Sequence, residues 1–201
     1  FLGMQLFPIF RFFCFLVAVA TSAAMAATAG KAGGNELVIA ANGKTSAVII
    51  VSPGAGTNEK QAANDLARYI GLMCGTTPAI ANTEAAIKEA MVGKAPKLVV
   101  GEAALKAQPK LRGALAGVLK KKPHLRTDGI VLRREGNRTY LAGNNDRAHY
   151  FAIAELLRRW GCRWYIPTEF GECIPEERNL RVGALYHAYS SPFEVRTYWI
   201  S

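Results

Sequence analysis

The sequence holds no Cys-x-x-Cys pair and no His-Glu-x-x-His run, and its three histidines, His124, His149 and His187, stand far apart. A zinc ribbon, a dithiol redox centre and a zincin-type metal site are therefore unsupported, because each needs ligands or thiols at fixed short spacing. No serine lies in Gly-x-Ser-x-Gly, so the strained elbow that exposes a hydrolase nucleophile is missing. Ser52-Pro53-Gly54-Ala55-Gly56-Thr57-Asn58-Glu59 is glycine-rich and joins a strand-like run to a helical pattern. It lacks Gly-Lys-Ser/Thr and the third glycine of the dinucleotide fingerprint, and it reads as a turn rather than a phosphate loop. No metal and no cofactor is expected.

Charge is nearly missing from the first thirty residues, where Arg11 stands alone. It precedes the apolar run Phe12–Ala20, and the small residues Ala24-Met25-Ala26 follow. This is the order of a secretory signal, with Met4 as a candidate start and cleavage expected near Ala26. The rival is an uncleaved anchor. The Ala, Thr and Ser of the second half, with no basic cluster behind them, favour cleavage. The expected product is exported, periplasmic or extracellular, with no membrane span left after cleavage.

Acidic residues are fewer than basic ones, 15 against 25, for a net charge of +10. Loss of residues 1–26 removes Arg11 and leaves about +9. Export argues against a nucleic-acid partner. The basic residues are scattered except at Lys120-Lys121-Lys122, which His124 and Arg126 extend. That cluster reads as a solvated loop or, more sharply, as a site for acidic polysaccharide or the cell envelope. Cysteine is also sparse. Cys74, Cys162 and Cys173 remain in the mature chain, an odd number. Cys162 and Cys173 can pair across a short loop, whereas Cys74 follows a helical apolar run and reads as a buried small hydrophobe.

What is present is an ordinary globular pattern. Residues 27–35 read as a linker. Glu36–Ala40 and Ala47–Val51 read as two strands of a hairpin turned at Asn42-Gly43. Ala62, Leu66, Tyr69, Ile70 and Met73 share one helical face, and Gly75 stops that helix. A strand near Pro78–Ala81, a helix over Glu84–Met91 and a buried strand over Lys97–Gly101 follow. Residues 102–119 read as helix split by Pro109. Gly129–Arg134 and Arg138–Ala142 form a second hairpin turned at Gly136-Asn137. Asn144-Asn145-Asp146 can cap the next helix, whose Tyr150, Ile153, Leu156 and Leu157 share a face. Arg163–Ile166 and Leu180–Val182 are short strands, and Phe193–Ile200 is extended. The expected fold class is α/β in the α+β, two-layer sense: a mixed sheet with two main helices on one face.

Glu169, Glu172, Glu176 and Glu177 cluster after Pro167. Paired carboxylates can do acid–base chemistry, but solvated acids on a Pro- and Gly-rich loop explain the cluster more simply. Trp160, Trp164, Tyr165 and Trp199 are candidates for sugar stacking, with core closure the stronger reading for Trp160 and Trp164.

Four segments carry a resemblance. They are Thr127–Leu132, Tyr140–Asn144, Arg147–Leu157 and Gly161–Pro167. Together they resemble a block in the N-terminal accessory domain of family 20 hexosaminidases, family 67 α-glucuronidases and related secreted bacterial proteins. Glu59–Ile70 resembles that domain's first helix. The likeness runs from about Glu36 to Arg196. Ala148 and Ala152 stand where those families usually carry glycine. The resemblance implies a hexosaminidase domain-2-like fold over residues 36–189. It implies a non-catalytic role beside a downstream (β/α)8 barrel of the same polypeptide, whose first strand would begin within residues 190–201. It gives Arg196 a weak substrate-binding role and assigns no catalytic residue within this chain. A free-standing envelope or glycan-binding module is the alternative.

Overall fold

The computed structural model describes residues 36–122, 127–166 and 168–193. The expected signal, the linker 27–35 and residues 194–201 of the expected barrel lead-in, with Arg196, lie outside these residues, as do His124, Arg126 and Trp199; Ser190, expected to open that lead-in, is instead the last residue of β12. In chain order the elements are β1 (Leu37–Val38), β2 (Ala40–Ala41), β3 (Lys44–Thr45), β4 (Val48–Ile50), α1 (Thr57–Cys74), β5 (Ala79–Ala81), α2 (Glu84–Val92), β6 (Lys97–Val100), α3 (Gly101–Ala107) and α4 (Lys110–Val118). They continue with β7 (Gly129–Glu135), β8 (Arg138–Gly143), α5 (Asp146–Arg159), β9 (Arg163–Trp164), a 3-10 turn (Glu169–Gly171), β10 (Glu172–Cys173), β11 (Arg181–Val182) and β12 (Tyr186–Ser190).

Six strands form one mixed sheet in the order β12-β7-β8-β6-β4-β5. β5, β4, β6 and β8 run parallel, and β7 and β12 pair antiparallel. Successive residues of a strand face opposite sides of a sheet. Ile49, Leu98, Val100, Leu132 and Leu141 accordingly join one core, with Leu66, Ile70 and Met73 of α1 and Ile153, Leu156 and Leu157 of α5. Ile50, Val99, Val131, Tyr140 and Ala142 join a second core, with Leu105 of α3, Leu111 and Leu115 of α4 and, partly buried, Ile87 of α2.

The two long helices therefore share one face, as their apolar stripes require, but the two-layer expectation is corrected: α2, α3 and α4 cover the other face. The reason lies in the strands. Val48-Ile49-Ile50 and Leu98-Val99-Val100 are continuous apolar runs, the pattern of parallel strands buried on both sides. Ile50, Val99 and Val131 are each at most 1% exposed. Each such side chain contributes about 1.5–3 kcal/mol when fully buried, so an uncovered second face would forfeit several kcal/mol.

The first hairpin is also smaller than the sequence implies. Asn42 and Gly43 have φ of 52° and 74°, as a type I′ turn requires, but only β2 and β3 pair across it. The return segment leaves the hairpin as β4 and enters the large sheet between β5 and β6. β1 pairs with β11 instead, Leu37 opposite Val182. The β7–β8 hairpin forms as expected, in register from Ile130 opposite Gly143 to Glu135 opposite Arg138. Pro109 separates α3 from α4. Gly75, at φ 82°, ends α1 with its N–H on the Gly71 carbonyl.

β12 is the strand that the sequence reading left out. Tyr186-His187-Ala188-Tyr189-Ser190 has no apolar run, and it is held by pairing along β7 from Arg133 to Gly129. Ala188 touches the second core, and the Ser190 hydroxyl bonds the Asp128 carbonyl. Truncation after Leu185 is expected to lower the melting temperature by about 10 °C or more, because it strips a ladder from the sheet and wets Val131 and Leu132. Truncation after Ser190 should change it little. Thermal unfolding of both truncations checks this. No helix among the described residues is long and apolar enough to cross a membrane.

Candidate functional site at the carboxyl ends of the parallel strands

The loops leaving β4, β6 and β8 meet at one end of the sheet. After β4 the chain turns to α1 on one face, and after β6 it turns to α3 on the other. Open α/β sheets place ligands at such a reversal, outside the carboxyl ends of the strands.

The glycine-rich loop after β4 delivers the amides of α1 to this end. Gly56 is the N-cap and has no side chain to accept them. Asp146 of α5 does so from a distance. Its Oδ1 accepts the Glu59 N–H at 2.9 Å, and its Oδ2 accepts the Asn58 N–H at 3.2 Å and the Asn58 side-chain amide at 2.7 Å. Desolvation opposes its charge, but these donors outweigh it and hold the carboxyl below its usual range. A Cβ on Gly56 would collide with this carboxylate. The anion site that a helix start offers is thus filled from within the chain, and the loop is a docking turn and no phosphate cradle. Asp146 is itself placed by Asn145, whose side chain accepts the Ala148 N–H at 3.0 Å and caps α5 as expected.

Glu59 is 1% exposed. Its carboxylate accepts the Glu102 N–H at 3.0 Å, and the Gly56 N–H nearby also favours its charged form. Burial is the largest influence on it, and the negative charges of Glu102 and Asp146 add to burial. The two amides oppose them, and the pKa stands at about 7. Gly101 makes room for it: a Cβ there would strike the carboxylate, and its φ is +60°.

His149 is likewise 1% exposed. Its Nδ1 accepts the Gly143 N–H at 2.9 Å, which assigns the ring proton to Nε2, 3.7 Å from Glu102 Oε1. Burial pulls its pKa below the ordinary value, Glu102 and Asp146 work against that, and Arg112 works with it.

An acid near neutrality close to a neutral imidazole is a combination that catalysis uses. Here both groups are closed to solvent and each accepts a backbone N–H, with His149 Nε2 turned to Glu102, so the arrangement is a clasp joining three βα loops. By sequence Glu59 stands only at the end of a glycine-rich turn, and His149 is one of three histidines far apart. The Gly56-x-x-Glu59 spacing was the one local signal. Among the described residues no group of three or more His, Cys, Asp or Glu is arranged to hold a metal.

The acidic cluster after Pro167 resolves into separate tasks. Glu172 accepts the Tyr69 hydroxyl at 2.7 Å and Arg68 at 3.2 Å. Trp164 donates its ring N–H to the same hydroxyl at 2.8 Å. These bonds tie the β9–β10 ladder to α1. Glu177 accepts the Asn179 N–H. Trp160 donates to the Arg181 carbonyl and packs against the first core. Trp164 is 40% exposed and meets Tyr69 edge-on, so it closes no core. The expected Cys162–Cys173 pairing is not formed: both are free thiols. Cys162 is buried with its Sγ 3.8 Å from Met73 Sδ, and Cys173 is exposed on β10. The sulfur is drawn into the core rather than across the loop.

Beside the clasp a cleft of about 600 Å³ opens between α2, α3 and α4, floored by Ile50 and Val99 of the sheet. The Glu102 and Arg112 side chains stand at its rim as an ion pair of 3.1 Å.

No protein-family model matches this chain, and no curated protein is similar to it. Among solved structures, CpGH84D, a glycoside hydrolase, matches with a TM-score of 0.40 and 12% identity, over 73% of this chain and 21% of that one. The chain thus spans about a fifth of that structure's length, and so loose a likeness fixes neither family nor activity.

Proposed function

We propose that this domain is the non-catalytic accessory domain of an exported carbohydrate-active enzyme of hexosaminidase or α-glucuronidase type. In this reading it packs beside a catalytic (β/α)8 barrel in the same polypeptide. One observation supports it above the others. The block Thr127–Ile166, which resembles such domains, folds as one continuous β7–β8–α5–β9 unit, with Ala148 seated directly on Gly143. Small residues at 148 and 152, both fully buried, allow that helix-to-strand approach. Glu59, Asp146 and His149 of the clasp each accept a backbone N–H, as an inert scaffold would use them. Tyr165, Ile166 and Phe170 are 72%, 55% and 97% exposed, an apolar strip suited to a neighbouring domain. Arg196 is assigned sugar contact only within this reading.

The experiment is to read the gene beyond the codon for Ser201 and to express the encoded protein with and without residues 36–190. A barrel whose glycosidase activity persists but whose melting temperature falls on deletion is the expected result. A stop codon directly after Ser201 would reject the reading in favour of a free-standing glycan-binding module, which the open cleft favours.

A further inference from the structure

The cleft beside the clasp opens onto the edge of the second core. It combines an apolar interior with a rim of both signs. Ile50 and Val99 form its floor, and Ile87 and Met91 of α2 form one wall. Glu84 opens α2, Glu102 and Lys106 lie on α3, and Arg112 lies on α4. The Glu102 and Arg112 side chains are 54% and 59% exposed, so beyond their 3.1 Å contact, and the approach of Glu102 Oε1 to His149, both keep bonding capacity turned outward.

This combination restricts what fits. A ligand of one charge meets an unlike group on one side and a like group on the other. A wholly apolar ligand strips water from four charged groups and replaces none of their hydrogen bonds, a cost of several kcal/mol. A ligand with an apolar ring face and an edge of hydroxyls avoids both penalties. Each hydroxyl donates to a carboxylate and accepts from a guanidinium or ammonium. A pyranose has that form. The volume, about 600 Å³, falls within the usual range for small-molecule sites and holds one or two such rings. The position, at the reversal between β4 and β6, is where open sheets take ligands.

We propose that this cleft binds a neutral mono- or disaccharide unit of a glycan, the ring face against Ile87 and Met91 and the hydroxyls on Glu84, Glu102 and Arg112. The choice of a sugar rests on the carbohydrate reading above as well as on the rim chemistry. The site would let the domain hold a chain that a catalytic neighbour cuts.

Amide chemical-shift titration of the full chain tests this. The probes are D-glucose, N-acetyl-D-glucosamine and cellobiose, with leucine as a zwitterion and D-glucuronate as an anion. The expected result is saturable shifts at Ser52, Glu84, Ile87 and Lys106 with a neutral sugar, at a Kd of about 1–10 mM. Ile87→Trp, which fills the cleft, should weaken binding about tenfold, and Glu84→Gln on the exposed rim should do the same with the melting temperature unchanged. The inference is overturned by shifts from leucine or glucuronate alone, by sugar shifts that survive Ile87→Trp, or by silence to about 50 mM. None of these outcomes bears on whether a barrel follows in the gene, so failure here leaves the accessory-domain reading to its own test.

Discussion

Gly101→Ala is expected to destabilise the domain by about 3–4 kcal/mol, a large share of the stability of a domain this size. Two costs add. The residue stands at φ +60°, where a side chain costs about 1–2 kcal/mol. The new Cβ also drives into the Glu59 carboxylate, which is buried and has no room to withdraw. Displacing it breaks the bond to the Glu102 N–H, and a buried group left unpaired costs about 1–3 kcal/mol. Gly113→Ala in α4 is the control. A Cβ there meets nothing within 4 Å, so that change should be neutral or stabilising by about 0.5–1 kcal/mol. Urea unfolding of the two variants measures the difference. Equal midpoints would show that the Glu59 contact carries no stability.

The clasp should also make stability depend on pH through Glu59. Its pKa is raised from 4.5 to about 7, so between these values the folded state binds the extra proton. The stability this supplies is fully present below pH 4.5 and is lost as pH rises through about 7. A shift of that size corresponds to about 3 kcal/mol between the two limits. His149 works in the opposite sense. Its folded pKa is lowered from 6.5, so its contribution is present above 6.5 and is lost as pH falls. Wild-type stability should therefore pass through a maximum and decline on the alkaline side. Gln at position 59 keeps the acceptor for the Glu102 amide and cannot ionise. Glu59→Gln should thus match wild type near pH 5 and exceed it by about 2–3 kcal/mol at pH 8–9. Parallel stability curves for the two proteins from pH 5 to 9 would refute this account of Glu59.

Much of the fold could be read from local signals. The Gly136-Asn137 turn, Pro109 between α3 and α4, and the apolar stripes of α1 and α5 each fix a boundary or a face within a few residues. Non-local pairing was not legible. Val48–Ile50 follows a good hairpin turn, yet its partners are β5 and β6, reached only after α1 and α2 have folded back. β12 has no apolar run of its own and exists through β7. The second helical layer follows from the unbroken apolar runs of β4 and β6, which a reading for alternation passes over. The clasp was hidden for the same reason: Glu59 and Asp146 are 87 residues apart, and Glu59 and Glu102 are 43 apart. Only their burial together gives an ordinary helix-start glutamate a pKa near neutrality.

The accessory-domain account stands or falls on whether this polypeptide performs chemistry by itself. The direct measurement is turnover of a panel of aryl glycosides by purified residues 27–201. The expected result is a rate no higher than buffer for every substrate, because Glu59 is closed to solvent, Asp146 is committed to Asn58 and the Glu59 N–H, and Glu172 is committed to Tyr69 and Arg68. Turnover that disappears in Glu169→Gln or Glu172→Gln, with the melting temperature retained, would contradict it.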